Sequence, residues 1–387
     1  MFWSYKGEGE IMFPAFNGLK KIKLELNIHY DGCELMGYID NTNYCFSDSI
    51  NLKKYNYAVE LKNITLQQYH INCYGKEEVS KDYFANTKLL KNIFINSIKE
   101  LKEDKLFLFK FTSKTGILNF SFSKPFNRVF YRNYLLKRHD GFILEENNVT
   151  LDNHKKYISI FNDTINLNET FLNNFQLSLE LLQGQKLQKI LLQNNSILTI
   201  YLNKTKLEKT INELLENYDY LNESIVKIIE FLNNLPAKEY TKWKRALNIL
   251  IMGRKTSYVD FIVTRFQFLD IFKDKGEKFK VGVSNLLNLS DTEALFLTKI
   301  RNDIVHDAED LKEIIDKYYD RLIETDPLRM LLESGDSSDQ KALLLYLEID
   351  RLIDAYISSK IKLDTNKLKD YNHIMEQIKN TPILINY

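Results

Sequence analysis

The spacing of apolar residues changes once along this chain, near residue 205, and that change limits the folds open to it. Before it, apolar and polar residues alternate with a period of two. After it, apolar residues recur at i, i+3 and i+4. The first pattern buries one face of a sheet and the second one stripe of a helix, so one layer cannot satisfy both. The expectation is an α+β chain of two domains. A β-rich domain, sandwich or barrel-like, spans 1–205 and an all-α helical bundle spans 206–387. At 387 residues the chain is long enough for two cores.

In the first part, LKKIKLELNIHYDG alternates from Ile22 to Ile28 and stops at the turn signal Asp31-Gly32. CELMGYID, DKLFLFKFTS, GILNFSFS and YISIFN are further strand-like runs, punctuated by Gly, Asn and Asp. An amphipathic stretch near Asn86 to Leu101 interrupts them. NETFLNNFQLSLELL can form a helix, and KLQKILLQNNSILTIYLNK reads as a hairpin turning at Asn194-Asn195-Ser196. Both are assigned to the first domain. Seven amphipathic segments follow from Leu207. Residues 258–272 are apolar nearly all round, which predicts the buried central helix of the bundle. Acids at Asp291 and Glu293, and at Asp307 and Glu309, mark helix N-termini.

A net charge of +1 provides no overall field for nucleic acid, so any such surface must be local. No apolar run approaches the ~18 residues that cross a bilayer, and MFWSYKGEGEIMF lacks a basic region followed by an apolar core, so a signal peptide is not expected there. Three cysteines give no even disulfide framework, so the expected location is the cytoplasm, with no membrane partner. Two His–Cys pairs, His29/Cys33 and His70/Cys73, could together hold zinc, but they lie in different runs and no C-x-x-C is present. No metal site or cofactor is predicted. There is no P-loop, G-x-G-x-x-G or G-x-S-x-G, so nucleotide hydrolysis and serine-hydrolase chemistry find no support.

The chemistry-bearing stretch is LFLTKIRNDIVHD, Leu295 to Asp307. It holds Arg301, Asn302 beside it and His306 five positions on. Arg offers a permanent charge and a planar fork for phosphate oxygens. His moves a proton either way near neutral pH. On an ideal α-helix five residues turn through 500°, which leaves Arg301 and His306 about 140° apart. Either the helix ends or bends near Asp307, or a second copy of the chain completes the site. The ordinary alternative is a helix terminus in which Arg301 pairs with Asp303 or Asp307.

Upstream lies ALNILIMGRKTSYVDFIVTRFQFLDIF, then a loop, then RNDIVH. This arrangement resembles the HEPN superfamily, specifically the helical domain of ApeA-type anti-phage proteins, over roughly the last 180 residues. The resemblance implies a metal-independent endoribonuclease acting in abortive infection, with Arg301, Asn302 and His306 as the catalytic set. Its targets would be cellular RNA, tRNA among them, and cleavage would leave a 2′,3′-cyclic phosphate. The β-rich domain would act as sensor or regulator of a phage-derived trigger.

One Arg and one His per chain favour a homodimer with the motif at its axis. A basic run from Lys238 to Lys255 supplies RNA-binding candidates: Lys242, Lys244, Arg245, Arg254 and Lys255. A second run, Lys124 to Arg138, interleaves cations with aromatic rings. The alternative function is a non-catalytic module that binds RNA or nucleotide, or serves as an interaction surface.

Overall fold

The computed structural model describes residues 3–13, 18–29, 32–40, 57–71, 77–101, 103–122, 127–132, 142–144, 149–153, 157–162, 169–184, 186–194, 196–202, 220–253, 258–307, 310–364 and 368–380. They form two compact units. One comprises residues 1–168 with 187–207, the other 169–186 with 208–387.

The first unit is antiparallel β. Strands β1 (Trp3–Met12), β2 (Leu19–His29), β3 (Gly32–Asp40), β4 (Tyr57–Ile71), β5 (Glu77–Leu101) and β6 (Leu106–Ser113) pair in the order β4-β1-β2-β3-β6-β5. A further β4–β5 pairing closes the ring. Closure removes the open edges that a six-stranded sheet would otherwise present. The sheet then continues from β5 through β7 (Ile117–Phe122), β13 (Ile197–Tyr201), β12 (Gln188–Asn194) and β8 (Asn127–Arg132). It ends with β11 (Tyr157–Asn162), β10 (Val149–Asn153) and β9 (Phe142–Leu144). The β12–β13 hairpin falls where its sequence places it. The core gathers one face of the barrel strands, including Tyr5, Leu26, Leu66, Ile95 and Phe109, together with Phe120 of β7.

The Asn86–Leu101 stretch is part of strand β5, not a separate amphipathic element. Its helix-like spacing has a local cause. Val59 faces Ile93 and Leu61 faces Leu90, so two residues of β5, Lys91 and Asn92, oppose the single Glu60 of β4. The buried residues Leu90 and Ile93 are therefore three apart across a bulge, and Ile95 resumes the period of two. Asn92 sits in that bulge with φ 58°. A second bulge, where Glu8 faces Thr65 and Glu10 faces Lys62, holds Asn63 with φ 49°. Asn tolerates the left-handed conformation better than most residues. Such bulges add the twist and bend that closure needs. Beside the second bulge, a Cβ on Gly7 would lie 1.9 Å from the Thr65 carbonyl oxygen, so only glycine fits there.

In the second unit, helix α1 (Glu169–Gln183) joins the helices, although the sequence pattern assigns it to the β-rich part. Buried Asn174 explains the difference. Its Nδ2 donates to Asn233 Oδ1 at 2.9 Å in α2 (Leu221–Asn233), and its Oδ1 accepts from Tyr240 Oη at 2.8 Å in α3 (Ala237–Gly253). The remaining helices are α4 (Tyr258–Phe272), α5 (Phe279–Leu287), α6 (Asp291–Asn302), α7 (Leu311–Tyr318), α8 (Pro327–Glu333), α9 (Ser338–Ile361) and α10 (Tyr371–Asn380).

Helix α4 is the buried helix that its composition predicts, with Phe261, Ile262, Phe266, Phe268 and Leu269 enclosed. It also buries Arg265 completely. Nε and Nη2 of Arg265 donate to Asp350 Oδ1 at 3.1 and 2.7 Å, and Nη1 donates to the Leu250 carbonyl at 3.1 Å. The guanidinium lies 3.4 Å from the centre of the Phe261 ring. On the far side, Tyr371 Oη donates to Asp350 Oδ2 at 3.1 Å and also contacts Asp354. The network ties α4 to α3, α9 and α10.

Two measurements check these features. Asn92→Val forces a β-branched residue into the left-handed region at a cost of about 1–2 kcal/mol. It should lower Tm by roughly 2–8 °C, whereas Asn92→Gly leaves Tm near the native value. Arg265→Met strands a buried carboxylate and should destabilise the helices by about 3–5 kcal/mol, read by urea denaturation. Adding Asp350→Leu to that variant should recover most of the loss.

Candidate functional site

Helix α6 begins with a full capping box. Ser290 Oγ accepts from the Glu293 N–H at 3.2 Å and Glu293 Oε2 accepts from the Ser290 N–H at 3.0 Å. Glu293 Oε1 also accepts from the Leu328 N–H of α8 at 3.0 Å. Asp326 accepts from Ser290 Oγ at 2.8 Å and Thr292 Oγ1 at 2.6 Å. These bonds fix the start of α6, and buried Phe296, Leu297 and Ile300 fix its rotation. Arg301 and Asn302, in the last turn, are left half-buried rather than enclosed.

The guanidinium of Arg301 is engaged on three sides. Nη2 donates to Asp270 Oδ2 of α4 at 2.8 Å, Nη1 donates to Asn302 Oδ1 at 3.2 Å, and the group lies 4.7 Å from the Phe279 ring centre. Its carboxylate partner is thus Asp270, not Asp303. Asp303 instead accepts from Lys317 Nζ at 3.0 Å. Burial alone would raise the Asp303 carboxyl. Hydrogen bonds from Tyr318 and Lys317, with the charges of Lys317 and Lys299, outweigh that and hold it below the ordinary range.

Beyond Asn302 the helix changes type. Residues Asp303–Asp307 form a π-helical turn. In a π-turn the backbone bonds i to i+5, so positions five apart come one above the other, as positions four apart do in an α-helix. The ~140° separation between positions 301 and 306 belongs to an ideal α-helix and does not apply to a segment that widens here. Within the turn, Asp303 and Ile304 are buried and Val305 is exposed. The π-turn carries position 306; the His306 side chain lies outside the described residues.

A cleft of about 660 Å³ opens between α3 and α4. Lys238, Lys242 and Arg245 line one wall, and Gln267, Asp270 and Ile271 the other. Of the RNA-binding candidates, the structure brings Lys242 and Arg245 into this cleft. Lys244 is not among its lining residues, and its ammonium sits 5.8 Å from the Tyr240 ring centre. Arg254 and Lys255 lie outside the described residues, as do the side chains of the Lys124–Arg138 run. Asp270 is the residue that sequence reasoning missed. It joins the cleft to Arg301, and its only sequence signal is an acid near the end of a mostly apolar helix. Cys33 is buried, with its Sγ 3.6 Å from the Ile190 carbonyl, while His29, His70 and Cys73 lie outside the described side chains. Among the described residues no three His, Cys, Asp or Glu side chains come together as a metal-holding group, and no helix is long and apolar enough to cross a membrane.

No family model, curated protein or solved structure matches the chain.

The anchoring of the π-turn can be tested by pH. A carboxyl held below its ordinary value stabilises the fold fully at neutral pH, and that contribution is lost as pH falls through the lowered value. The Tm gap between the native protein and Asp303→Asn should stay constant from pH 7 to 5. It should narrow once the pH drops below 3.8, the ordinary value for Asp.

Proposed function

We propose that the helical unit is a metal-independent endoribonuclease of HEPN type, with Arg301, Asn302 and His306 as its catalytic set. The observation that carries this reading is the π-turn at Asp303–Asp307, which follows Arg301 and Asn302 and contains position 306. π-turns occur often at functional sites. In this mechanism a base takes the proton of a ribose 2′-hydroxyl, whose oxygen attacks the adjacent phosphorus. The bond to the leaving 5′-oxygen breaks, and an acid returns a proton to that oxygen. The products are a 2′,3′-cyclic phosphate and a 5′-hydroxyl. His306 serves as base or acid, and Arg301 neutralises charge that builds on the phosphoryl oxygens. Asn302, which already accepts a bond from Arg301, orients that fork.

Two proton transfers against one His306 per chain motivate a homodimer, in which each copy supplies one of the two histidines. Exposed Val305 beside the motif gives such an interface an apolar contact. The β-rich unit is proposed to regulate the helical unit in response to infection, through a phage-derived trigger, in the cytoplasm. A second reading, RNA or nucleotide binding without cleavage, or an interaction module, draws on Arg301 itself. Its guanidinium is held by Asp270, Asn302 and Phe279, as a structural arginine would be.

End-labelled RNA incubated with the purified full chain in EDTA separates the two. The proposal predicts fragments ending in a 2′,3′-cyclic phosphate, and no cutting of DNA. His306→Ala and Arg301→Ala should each lower the rate by at least about 100-fold, and Arg301→Ala, which leaves Asp270 without its 2.8 Å partner, should lower Tm as well. Cleavage that stops on chelation, or that survives His306→Ala, contradicts the mechanism. RNA retained uncut supports the binding reading.

A further inference from the structure

We infer that the α3–α4 cleft is a phosphate track for single-stranded RNA that ends on Asp270, so that a phosphate entering it takes the place of Asp270 on Arg301. The inference rests on RNA being the ligand in the reading above, not on cleavage.

Lys238, Lys242 and Arg245 follow one another at i, i+4 and i+7, so they share one stripe of α3. At 1.5 Å per residue they span about 10 Å along the cleft. That is a row of charges suited to successive phosphodiesters rather than to one anion. The stripe carries three cations on a helix that holds a single acid. Glu239 is the single acid between Lys238 and Lys255, against six cations. Burial first, and then the charge of Glu239, push the Tyr356 hydroxyl of α9 upward. Among the described residues no carboxylate forms an ion pair with Lys238, Lys242 or Arg245.

The one acid lining the cleft is Asp270. Its Oδ2 accepts from Arg301 Nη2 at 2.8 Å, while Lys273 Nζ stands 4.0 Å from Oδ1. The single bond from Arg301 Nη2 to Asp270 Oδ2 is charge-assisted, and a phosphate oxygen could accept from the same nitrogen in its place. Asp270 therefore stands where an RNA phosphate would bind, and repels that phosphate from the end of the track. The arrangement makes Asp270 an internal competitor that keeps Arg301 occupied until a strand bound along α3 displaces it.

The test measures binding of a single-stranded 2′-O-methyl oligonucleotide, whose blocked 2′-oxygen cannot attack, by fluorescence anisotropy over a salt series with the full chain. Each of Lys238→Ala, Lys242→Ala and Arg245→Ala should reduce the slope of log affinity against log salt by about 0.7, and the triple variant by about 2. Lys379→Ala on α10 should leave the slope unchanged. Asp270→Asn should tighten binding several-fold, and adding Arg301→Ala to it should remove that gain. No binding by the native chain, a triple variant that binds like the native chain, or an Asp270→Asn variant that binds more weakly would overturn the inference. If the oligonucleotide binds as expected but ordinary RNA is never cut, the ribonuclease reading fails and the track stands.

Discussion

The helical unit depends on a buried ion pair. Arg265 and Asp350 are both fully enclosed, 85 residues apart, and bonded through two guanidinium nitrogens. Burying either charge alone would cost several kcal/mol, a large part of the 5–15 kcal/mol that separates folded from unfolded chains. The pair is tolerable because the remaining acceptors and donors are also used, by the Leu250 carbonyl and the Tyr371 hydroxyl. The consequence is positional. Helix α4 is held against α3, α9 and α10 in one register, and five residues after Arg265 it presents Asp270 to Arg301. The geometry of the candidate site is inherited from that core pair.

The β unit solves a different problem. A closed six-stranded ring has no free edge, but flat strands do not close. Two bulges, each with an asparagine in the left-handed region, bend β4 and β5, and Gly7 permits the close approach of β1 and β4. The continuation of the sheet beyond β5 adds β7 and six further strands to the barrel wall.

Much of this was legible in the sequence, and the rest was hidden for identifiable reasons. Period-two runs located β2, β3, β6, β7 and β11, and amphipathic spacing located most helices. The 86–101 segment misled because a bulge inserts a three-residue step, which imitates helical periodicity. Helix α1 was recognisable as a helix, but the bonds from Asn174 to Asn233 and Tyr240 lie 59 and 66 residues away, beyond any local pattern. At the site, Arg301 and Asn302 stood out by residue type and spacing. Asp270, 31 residues earlier, did not, because an acid in an apolar helix is equally consistent with a solvated end. The π-turn leaves no periodic signal of its own in five residues. It lies between Asn302 and the end of the motif, so the ideal α-helical angle does not carry over unchanged to position 306.

The central claim is that Arg301 and His306 form one site across the π-turn. The most direct test is the titration of the His306 ring by NMR at low salt, in the native protein and in Arg301→Ala. A cation close to an imidazole lowers its pKa, and a carboxylate left unpaired raises it. Removing the Arg301 guanidinium, which also unmasks Asp270, should therefore move the His306 titration to higher pH. Superimposable titration curves for the two proteins would contradict the account.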